Sequence, residues 1–387
     1  MSIAASASVS SPVCPSRVVP VTRSAPVQLA LLGTGTVGSE FLGRLHALRQ
    51  SQQGRPLSLV HVANSRRCCT RLAGLDPGQA LRELHSPDAA MPGDVEHALD
   101  PSALRIVIDA TASDAVAERH ARWLAAGIHV VTACKLGAGE SLARWRGIRD
   151  ACHAGGTHYG DSASVGAGLP VLRSIRSLRQ GGDRIHAIVG ILSGSLAWLF
   201  AHYDGSRPFS DCIAEAKQRG FTEPDPCQDL SGEDVRRKLL ILSRCAGFEL
   251  AADEVQVESL LPEGRSWPAA EAGEALRLLD APMRERFRAA VECGGRLQYV
   301  ARLQHGRARA GLECLPSGNP LGAAAGSDNR VAIWSDRYAA SPLLVQGPGA
   351  GAQVTAAALL DDVLGIVAGG CVRDGWPTDL RHARGKP

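Results

Sequence analysis

The sequence is poor in aromatic residues and in net charge, and it has no long hydrophobic run. Phe, Trp and Tyr make up only 4% of the 387 residues, which is too sparse for a surface on which nucleic-acid bases stack. The 42 Lys and Arg residues nearly balance the 39 Asp and Glu residues, and the net charge of +3 gives no signature of nucleic-acid or anionic-membrane binding. No apolar run approaches the roughly 18 residues that span a bilayer. We therefore expect neither a nucleic acid nor a membrane as a partner.

Paired cysteine motifs are also missing. The 11 cysteines have no C-x-x-C spacing, and the adjacent Cys68 and Cys69 do not form a zinc motif. Free thiols in a reducing compartment are the simplest interpretation. Residues 1–25 are rich in Ser, Ala, Val and Pro without an acid, and the apolar stretch after them fits a strand better than a secretory signal. We predict a disordered leader over 1–25 and a cytoplasmic location.

The segment from 26 to 164 alternates short apolar runs with amphipathic stretches. The predicted strands are Val27–Leu32, Leu57–Ala63, Ile106–Ala110 and His129–Thr132, and the helices between them include Val37–Leu48 and Ala115–Ala126. Such alternation implies parallel pairing with right-handed crossovers. The prediction is an α/β fold, with a doubly wound sheet of the Rossmann type.

The pattern changes from about residue 165. Helices are predicted at Ser195–His202, Phe209–Arg219, Asp234–Ala246 and Ala281–Cys293, and strands at Gln298–Leu303, Ala308–Cys314, Arg330–Trp334 and Leu343–Val345. Strands in close succession suggest an α+β unit with an antiparallel or mixed sheet. A last helix, Gln353–Val367, follows a glycine-rich segment and is expected to return to the first unit. We thus divide the chain into a nucleotide domain (26–164 plus 346–370), a substrate and dimerisation domain (165–345) and a tail (371–387).

The first chemical motif is Gly33-Thr34-Gly35-Thr36-Val37-Gly38. It follows a strand and opens a helix, which is the context that a dinucleotide-binding G-x-G-x-x-G motif requires. Gly33 permits the tight turn, Gly35 lets a pyrophosphate approach, and Gly38 lets the helix pack on the strand. Thr36 and Val37 would then offer helix N-terminal amides to the phosphates. The alternative is a merely flexible turn between strand and helix.

The end of the second strand normally selects the cofactor. An NAD site places an acid there, whereas this chain has Asn64-Ser65-Arg66-Arg67. Arginine suits a 2′-phosphate, so the sequence predicts that NADP(H) is preferred and NAD(H) is the second option. Two solvated arginines in a loop are the alternative.

A cluster of acids precedes a lysine between residues 220 and 238. Spacing alone favours a structural interpretation, in which Ser231 and Asp234 form a helix capping box and Lys238 makes a surface pair with Asp234. The prolines on both sides of Asp225 are expected to exclude a helix there. The acids before the helix change the balance, because they suit a zwitterionic substrate beside a proton-transferring lysine.

These residues resemble the signature of homoserine dehydrogenases, and the dehydrogenase portion of fused aspartokinase–homoserine dehydrogenases most of all. The resemblance extends over about 27–367. The blocks that carry it are Val130-Val131-Thr132-Ala133-Cys134-Lys135, Ser164-Val165-Gly166-Ala167-Gly168-Leu169-Pro170, Gly190-Ile191-Leu192-Ser193-Gly194-Ser195-Leu196, Glu223-Pro224-Asp225-Pro226, Asp229-Leu230-Ser231-Gly232, Asp234-Val235 with Lys238, Val257-Glu258-Ser259-Leu260 and Gly347-Pro348-Gly349-Ala350-Gly351.

The resemblance implies the reversible NAD(P)H-dependent reduction of L-aspartate 4-semialdehyde to L-homoserine, on the route to threonine and methionine. It implies that Lys238 is the acid/base group, with Lys135 as the second lysine. Glu223 and Asp234 would hold the substrate, and Asp229 would assist.

The same resemblance implies further binding groups. Thr111, Lys135 and Gly351 would contact the cofactor, and Val165, Ala167 and Leu169 would bind Na⁺ or K⁺ through backbone carbonyls. A plain glycine-rich turn is the alternative to the cation site. A homodimer is expected.

The chain departs from the family pattern at a few positions. Cys134 stands where Asn is usual, Leu136 where a second Lys is frequent, and Cys227-Gln228 where Arg-Asp is usual. Two alternatives therefore stay open, a cysteine-dependent semialdehyde dehydrogenase using Cys134 and an inactive nucleotide-binding sensor or scaffold. Because no further domain is expected, we predict a monofunctional enzyme without domain-mediated inhibition by threonine.

Overall fold

A computed structural model describes residues 26–51, 57–262, 272–322 and 326–369. The predicted leader (1–25), the tail (371–387) and residue 370 lie outside the described residues. No helix in the described ranges is both long and apolar enough to cross a membrane.

The first half of the chain forms a six-stranded sheet in the order β3-β2-β1-β4-β5-β6. Its strands are β1 (Val27–Leu32), β2 (Leu57–Ala63), β3 (Cys68–Thr70), β4 (Leu104–Asp109), β5 (His129–Thr132) and β6 (Tyr159–Gly160). All neighbours pair in parallel except β2 and β3, which form an antiparallel pair. The parallel strands are almost continuously apolar and buried, as expected for a sheet covered on both faces.

The described residues of this half form the α-helices α1 (Thr36–Gln50), α2 (Ala80–Leu84), α3 (Asp114–Ala117), α4 (His120–Ala125) and α5 (Leu142–Gly155). The last helix of the described chain, α13 (Ala352–Val367), also packs on this sheet. Its buried Leu359 and Val363 share a core with Leu29, Leu31 and Phe41. A segment distant in sequence therefore completes one face of the sheet.

The second half forms another six-stranded sheet, in the order β12-β11-β7-β9-β10-β8. Its strands are β7 (Ile185–Ile191), β8 (Val255–Val257), β9 (Gly295–Gln304), β10 (Arg307–Pro316), β11 (Asn329–Ser335) and β12 (Leu343–Gly347). The accompanying helices are α6 (Val171–Gln180), α7 (Gly194–His202), α8 (Phe209–Gln218), α9 (Pro226–Leu230), α10 (Glu233–Cys245), α11 (Ala272–Arg277) and α12 (Asp280–Glu292). β8 pairs in parallel with β10, and the other described neighbours pair antiparallel, so the sheet is mixed.

The α/β class and the two-sheet architecture predicted from the sequence are confirmed, but some elements differ. The helix expected at Ala115–Ala126 is broken into α3 and α4, because the Arg119 amide bonds the Val116 carbonyl three residues back. The expected absence of helix around Asp225 was wrong. Helix α9 begins at Pro226, since proline is tolerated in the first turn, where its missing N–H would have no helical partner.

Candidate functional site

The glycine turn between β1 and α1 has the geometry of a nucleotide cradle. Gly33 has a φ of +92°, and a Cβ on it would lie 2.8 Å from the backbone of Ala110. A Cβ on Gly38 would lie 2.0 Å from the Gly33 carbonyl oxygen, so this position requires glycine for close packing. A Cβ on Gly35 would meet no atom within 4 Å, because the turn is open there. The turn therefore fits a pyrophosphate, which needs backbone approach at Gly35.

The N-terminus of α1 is available to an anion. Gly35 occupies the N-cap position and offers no side chain, and the first turn, which begins with Thr36 and Val37, contains no acid. Helix N-terminal amides that no side chain caps attract phosphate groups. The N-terminus of α1 and the open glycine turn thus both favour a ligand that carries phosphate groups.

The two arginines after β2 have different roles. They lie in the turn to β3, where the Asn64 side chain accepts hydrogen bonds from both of their backbone amides. The Arg67 guanidinium donates to the carbonyls of His85 (3.3 Å) and Ser86 (3.1 Å) and so holds the neighbouring segment. Arg66 is exposed, and we find no hydrogen bond from its guanidinium to any described residue. Arg66 is therefore the side chain free to meet a 2′-phosphate.

Two of the predicted cofactor residues follow strands of the first sheet at its carboxyl edge, and a third precedes α13, which packs on that sheet. Thr111 comes shortly after β4, Lys135 shortly after β5, and Gly351 directly before α13. In doubly wound sheets this edge binds the ligand. The Lys135 ammonium also points to the second half of the chain, where its Nζ lies 3.5 Å from Asp234 Oδ1.

Asp234 joins the two predicted catalytic lysines. Lys238 Nζ lies 2.6 Å from Asp234 Oδ2 and donates to the Leu192 carbonyl at 2.7 Å. Lys238 is only 9% exposed. Burial alone would raise the pKa of Asp234, but Lys238 and Lys135 together lower it to about 2. Two ammonium groups thus converge on one ionised carboxylate.

The capping-box interpretation of this segment was wrong. The N-cap of α10 is Gly232 with a φ of +77°, and it has no capping side chain. Ser231 accepts from the Glu233 amide at 3.2 Å, whereas the Asp234 carboxylate pairs with lysines. The idea of a surface pair also fails, because Lys238 is buried.

The acid-bearing loop before α10 divides its acids between structure and ligand. Asp225 caps α9 by accepting from the Cys227 amide, and Asp229 accepts from the Glu223 amide at 2.9 Å. Burial raises the pKa of Asp229. The Glu223 side chain remains exposed. Glu223 can therefore reach a ligand, and Asp229 holds the backbone of Glu223.

The turn predicted to bind a cation contains two successive residues with positive φ, Gly166 (+76°) and Ala167 (+51°). Val165 and Ala167 are buried, and the Leu169 carbonyl accepts from the Val171 amide at 2.8 Å. Among the described residues, no group of three or more His, Cys, Asp and Glu side chains could hold a metal ion.

The cysteine alternative finds no support at Cys134. This residue is buried, and burial raises the pKa of its thiol to about 11. A thiol in that state supplies almost no thiolate nucleophile at neutral pH. The structure shows no disulfide among the nine cysteines in the described ranges.

Sequence reasoning did not identify one contributor to the site. The Leu192 carbonyl accepts from Lys238 and also from the Asn329 side-chain amide at 3.3 Å. A backbone carbonyl leaves no mark in the residue type, so only the three-dimensional arrangement reveals it.

Comparisons with known proteins cover both halves of the chain. The family model described as homoserine dehydrogenase matches residues 170–364. A second model, described as the NAD binding domain of homoserine dehydrogenase, matches residues 33–160.

Individual relatives agree with these matches. The bifunctional aspartokinase/homoserine dehydrogenase 2 of Escherichia coli K12 is 40% identical over 351 residues, which cover 87% of this chain but only 43% of that protein. The chain thus spans less than half the length of such bifunctional relatives. The homoserine dehydrogenase of Emericella nidulans is 32% identical, and the match covers 89% of this chain and 99% of that protein. A hyperthermophilic archaeal homoserine dehydrogenase in complex with NADPH shares the fold, with a TM-score of 0.69 and 20% identity, over 89% of this chain and 98% of that one.

Proposed function

The chain belongs to the homoserine dehydrogenase family, and from this premise we propose that it reduces L-aspartate 4-semialdehyde reversibly to L-homoserine with NAD(P)H. In biosynthesis this step would serve threonine and methionine. The observation that carries the proposal is the convergence of Lys238 and Lys135 on Asp234, with the cofactor turn and the exposed Glu223 supplied by the same chain.

The proposed chemistry divides between cofactor and protein. The nicotinamide supplies or accepts the hydride when it is bound. In the reducing direction Lys238 donates a proton to the substrate oxygen that becomes the hydroxyl of homoserine, and its positive charge stabilises the developing alkoxide. Lys135 adds a second positive charge. Glu223 binds the substrate ammonium group, and Asp234 orients both lysines.

The experiment that tests this function follows nicotinamide absorbance with L-homoserine and NADP⁺ or NAD⁺. We expect homoserine-dependent reduction in the wild type and a loss of about 10²- to 10⁴-fold in kcat for Lys238→Ala, as is typical when a general acid/base is removed. Lys217→Ala, at an exposed position of α8, is the control and should keep wild-type turnover. Turnover that persists in Lys238→Ala would mean that Lys135, and not Lys238, transfers the proton. A wild type that binds nucleotide without turnover would favour the sensor.

NADP(H) is the proposed preferred cofactor. This finer assignment rests on Arg66, whose guanidinium is exposed at the end of β2, where an acid would favour NAD(H). The archaeal relative in complex with NADPH is consistent with it.

Arg66→Ala should separate the two cofactors. We expect the KM for NADPH to rise about tenfold or more, while the KM for NADH stays within about twofold, because only NADPH carries the 2′-phosphate that a charged hydrogen bond recognises. Arg67→Ala is the control, since Arg67 holds His85 and Ser86 and its loss should lower stability without cofactor discrimination. Equal effects of Arg66→Ala on both cofactors would contradict the assignment.

The remaining parts of the proposal concern the whole protein. We propose the domain division 26–164 plus 346–370 and 165–345, a homodimer, and a cytoplasmic location. A monovalent cation at the carbonyls of Val165, Ala167 and Leu169 would suit the positive φ values of this turn. The Leu169 carbonyl already accepts one hydrogen bond, so it would have to serve the cation with its second lone pair.

A further inference from the structure

A chain of buried polar side chains lies beneath the carboxyl edge of the first sheet. His120 Nε2 lies 3.0 Å from Asp109 Oδ2, and His120 Nδ1 lies 3.0 Å from the Tyr159 hydroxyl. Asp109 and His120 have no exposed surface, and Tyr159 is 7% exposed. Buried polar groups are costly unless they are hydrogen-bonded. The hydrogen bonds among these three side chains therefore hold them in one fixed geometry.

The Asp109 carboxylate also holds the start of the segment after β4. Its Oδ1 accepts from the Thr111 amide at 2.9 Å and from the Thr111 hydroxyl at 2.6 Å. The Thr111 hydroxyl in turn accepts from the Ser113 amide at 3.2 Å. The conformation of the loop that contains the predicted cofactor residue Thr111 therefore depends on one carboxylate.

The same network reaches the segment after β5. The Thr132 hydroxyl lies 3.1 Å from Asp109 Oδ2 and accepts from the Cys134 amide at 2.9 Å. Gly137 lies directly on the network, because a Cβ there would come within 2.2 Å of the Tyr159 hydroxyl and 3.1 Å of His120 Nδ1. The loop that contains Lys135 is thus held on both sides of the lysine.

The protons in this network follow from its chemistry. An ionised Asp109 only accepts hydrogen bonds, and it therefore requires the His120 tautomer whose Nε2 carries the hydrogen. Burial raises the pKa of Tyr159 well above its usual range, so its hydroxyl remains protonated. His120 is the only described side chain that contacts both Asp109 and Tyr159 in this way.

We propose that His120 is a positioning residue for nicotinamide binding: by linking Tyr159 to Asp109, it fixes the Thr111 and Lys135 loops in the conformation that receives the cofactor. The inference rests on the proposed function, because Thr111 and Lys135 are assigned to the cofactor there. It adds residues that do not themselves touch the cofactor.

The test compares His120→Leu, which removes both hydrogen bonds, with His120→Gln, whose amide can still donate to Asp109. Tyr159→Phe removes only the hydrogen bond between the Tyr159 hydroxyl and His120 Nδ1. Two readouts are used, the NADPH dissociation constant from nicotinamide fluorescence without substrate, and amide hydrogen exchange over 111–113 and 133–139 in nucleotide-free protein. We expect His120→Leu to weaken NADPH binding about tenfold or more and to speed exchange in both segments. His120→Gln should recover much of both losses.

The matched control is His129→Leu. His129 is also a buried histidine of this sheet, it accepts a hydrogen bond from the His158 amide, and it begins β5 at the opposite edge. The substitution His129→Leu should lower the melting temperature without changing NADPH binding or amide hydrogen exchange near Thr111 and Lys135. Wild-type binding and exchange in His120→Leu would overturn the inference. If His120→Leu does not fold, Tyr159→Phe and His120→Gln decide, and wild-type values in both would overturn it.

The two proposals fail in different ways. NADPH binding by the wild type without homoserine turnover would refute the proposed function and leave the positioning role intact. If the wild type does not bind NADPH, hydrogen exchange still decides whether His120 fixes the two loops.

Discussion

At the scale of single residues, the site depends on charged side chains that are partly or fully buried. The Asp234 carboxylate, with a pKa of about 2, is fully ionised at neutral pH and can hold two ammonium groups together. Lys238 is buried, and the Asp234 carboxylate and the Leu192 carbonyl replace water as the partners of its ammonium group. A buried ammonium needs such partners, because an unpaired buried charge is strongly unfavourable. The geometry therefore confines the lysine to one orientation.

Cys134 provides a residue-scale test of the covalent alternative. Because burial raises the pKa of its thiol to about 11, Cys134→Ser should keep kcat within about threefold of the wild type, since the change is nearly isosteric. Steady-state turnover with L-homoserine measures this. Cys212→Ser is the control, because Cys212 is also buried with a raised pKa. A drop of more than about a hundredfold, confined to Cys134→Ser, would instead indicate a thiolate nucleophile.

At the scale of elements, the joint between β1 and α1 combines packing and binding in one short turn. Gly33 and Gly38 are required by contacts within the protein, whereas Gly35 faces open space. The three glycines of one motif thus have separable roles. Stability should depend on the outer two, and ligand binding on the middle one.

A pair of alanine substitutions can separate these roles. Gly38→Ala should lower the free energy of unfolding by about 1–3 kcal/mol or more, because the new methyl group overlaps the Gly33 carbonyl. Gly35→Ala should leave the unfolding curve unchanged and weaken NADPH binding about tenfold or more, since its methyl group fills the space that a pyrophosphate needs. Urea unfolding and nicotinamide fluorescence measure the two effects. Tight NADPH binding by Gly35→Ala would argue against the dinucleotide site.

At the scale of the whole molecule, buried Arg244 of α10 connects the two halves. Its guanidinium donates to the carbonyls of Ala138 and Glu140, at the end of the Lys135 loop, and to the Leu250 carbonyl. The Glu140 carboxylate pairs in return with Arg236 and Arg237 of the same helix. These contacts hold α10, which carries Asp234 and Lys238, against the loop of Lys135.

Arg244→Met should disrupt both halves at once. The buried carbonyl of Ala138 and the half-buried carbonyls of Glu140 and Leu250 would lose their donor. Each such loss costs about 1–3 kcal/mol, so the free energy of unfolding should fall by about 3 kcal/mol. The KM for homoserine and the NADPH dissociation constant should both rise. Arg288→Met, the same change at an exposed position of α12, should leave all three values unchanged. A variant that is unstable but has unaltered KM and NADPH binding would show that Arg244 is structural only.

The sequence by itself determined the elements and motifs that depend on neighbouring residues. The predicted strands Val27–Leu32, Leu57–Ala63 and His129–Thr132 match β1, β2 and β5, because their short length, branched side chains and flanking turn residues favour a strand over a helix. The glycine turn could be predicted because the motif lies between a strand and a helix, whereas the close approach of Gly33 to Ala110 is a tertiary contact.

Only the tertiary structure decided which interpretation of Asp234 and Lys238 holds. A capping box of Ser231 with Asp234, a surface pair of Asp234 with Lys238 and a catalytic cluster all fit the same sequence. They differ in the burial of these side chains and in the groups that approach from distant segments. Lys135, the Leu192 carbonyl and the His120 network come from distant segments that meet at these elements. Local sequence patterns cannot predict these long-range contacts, because the packing of the two sheets and of α13 brings the distant segments together.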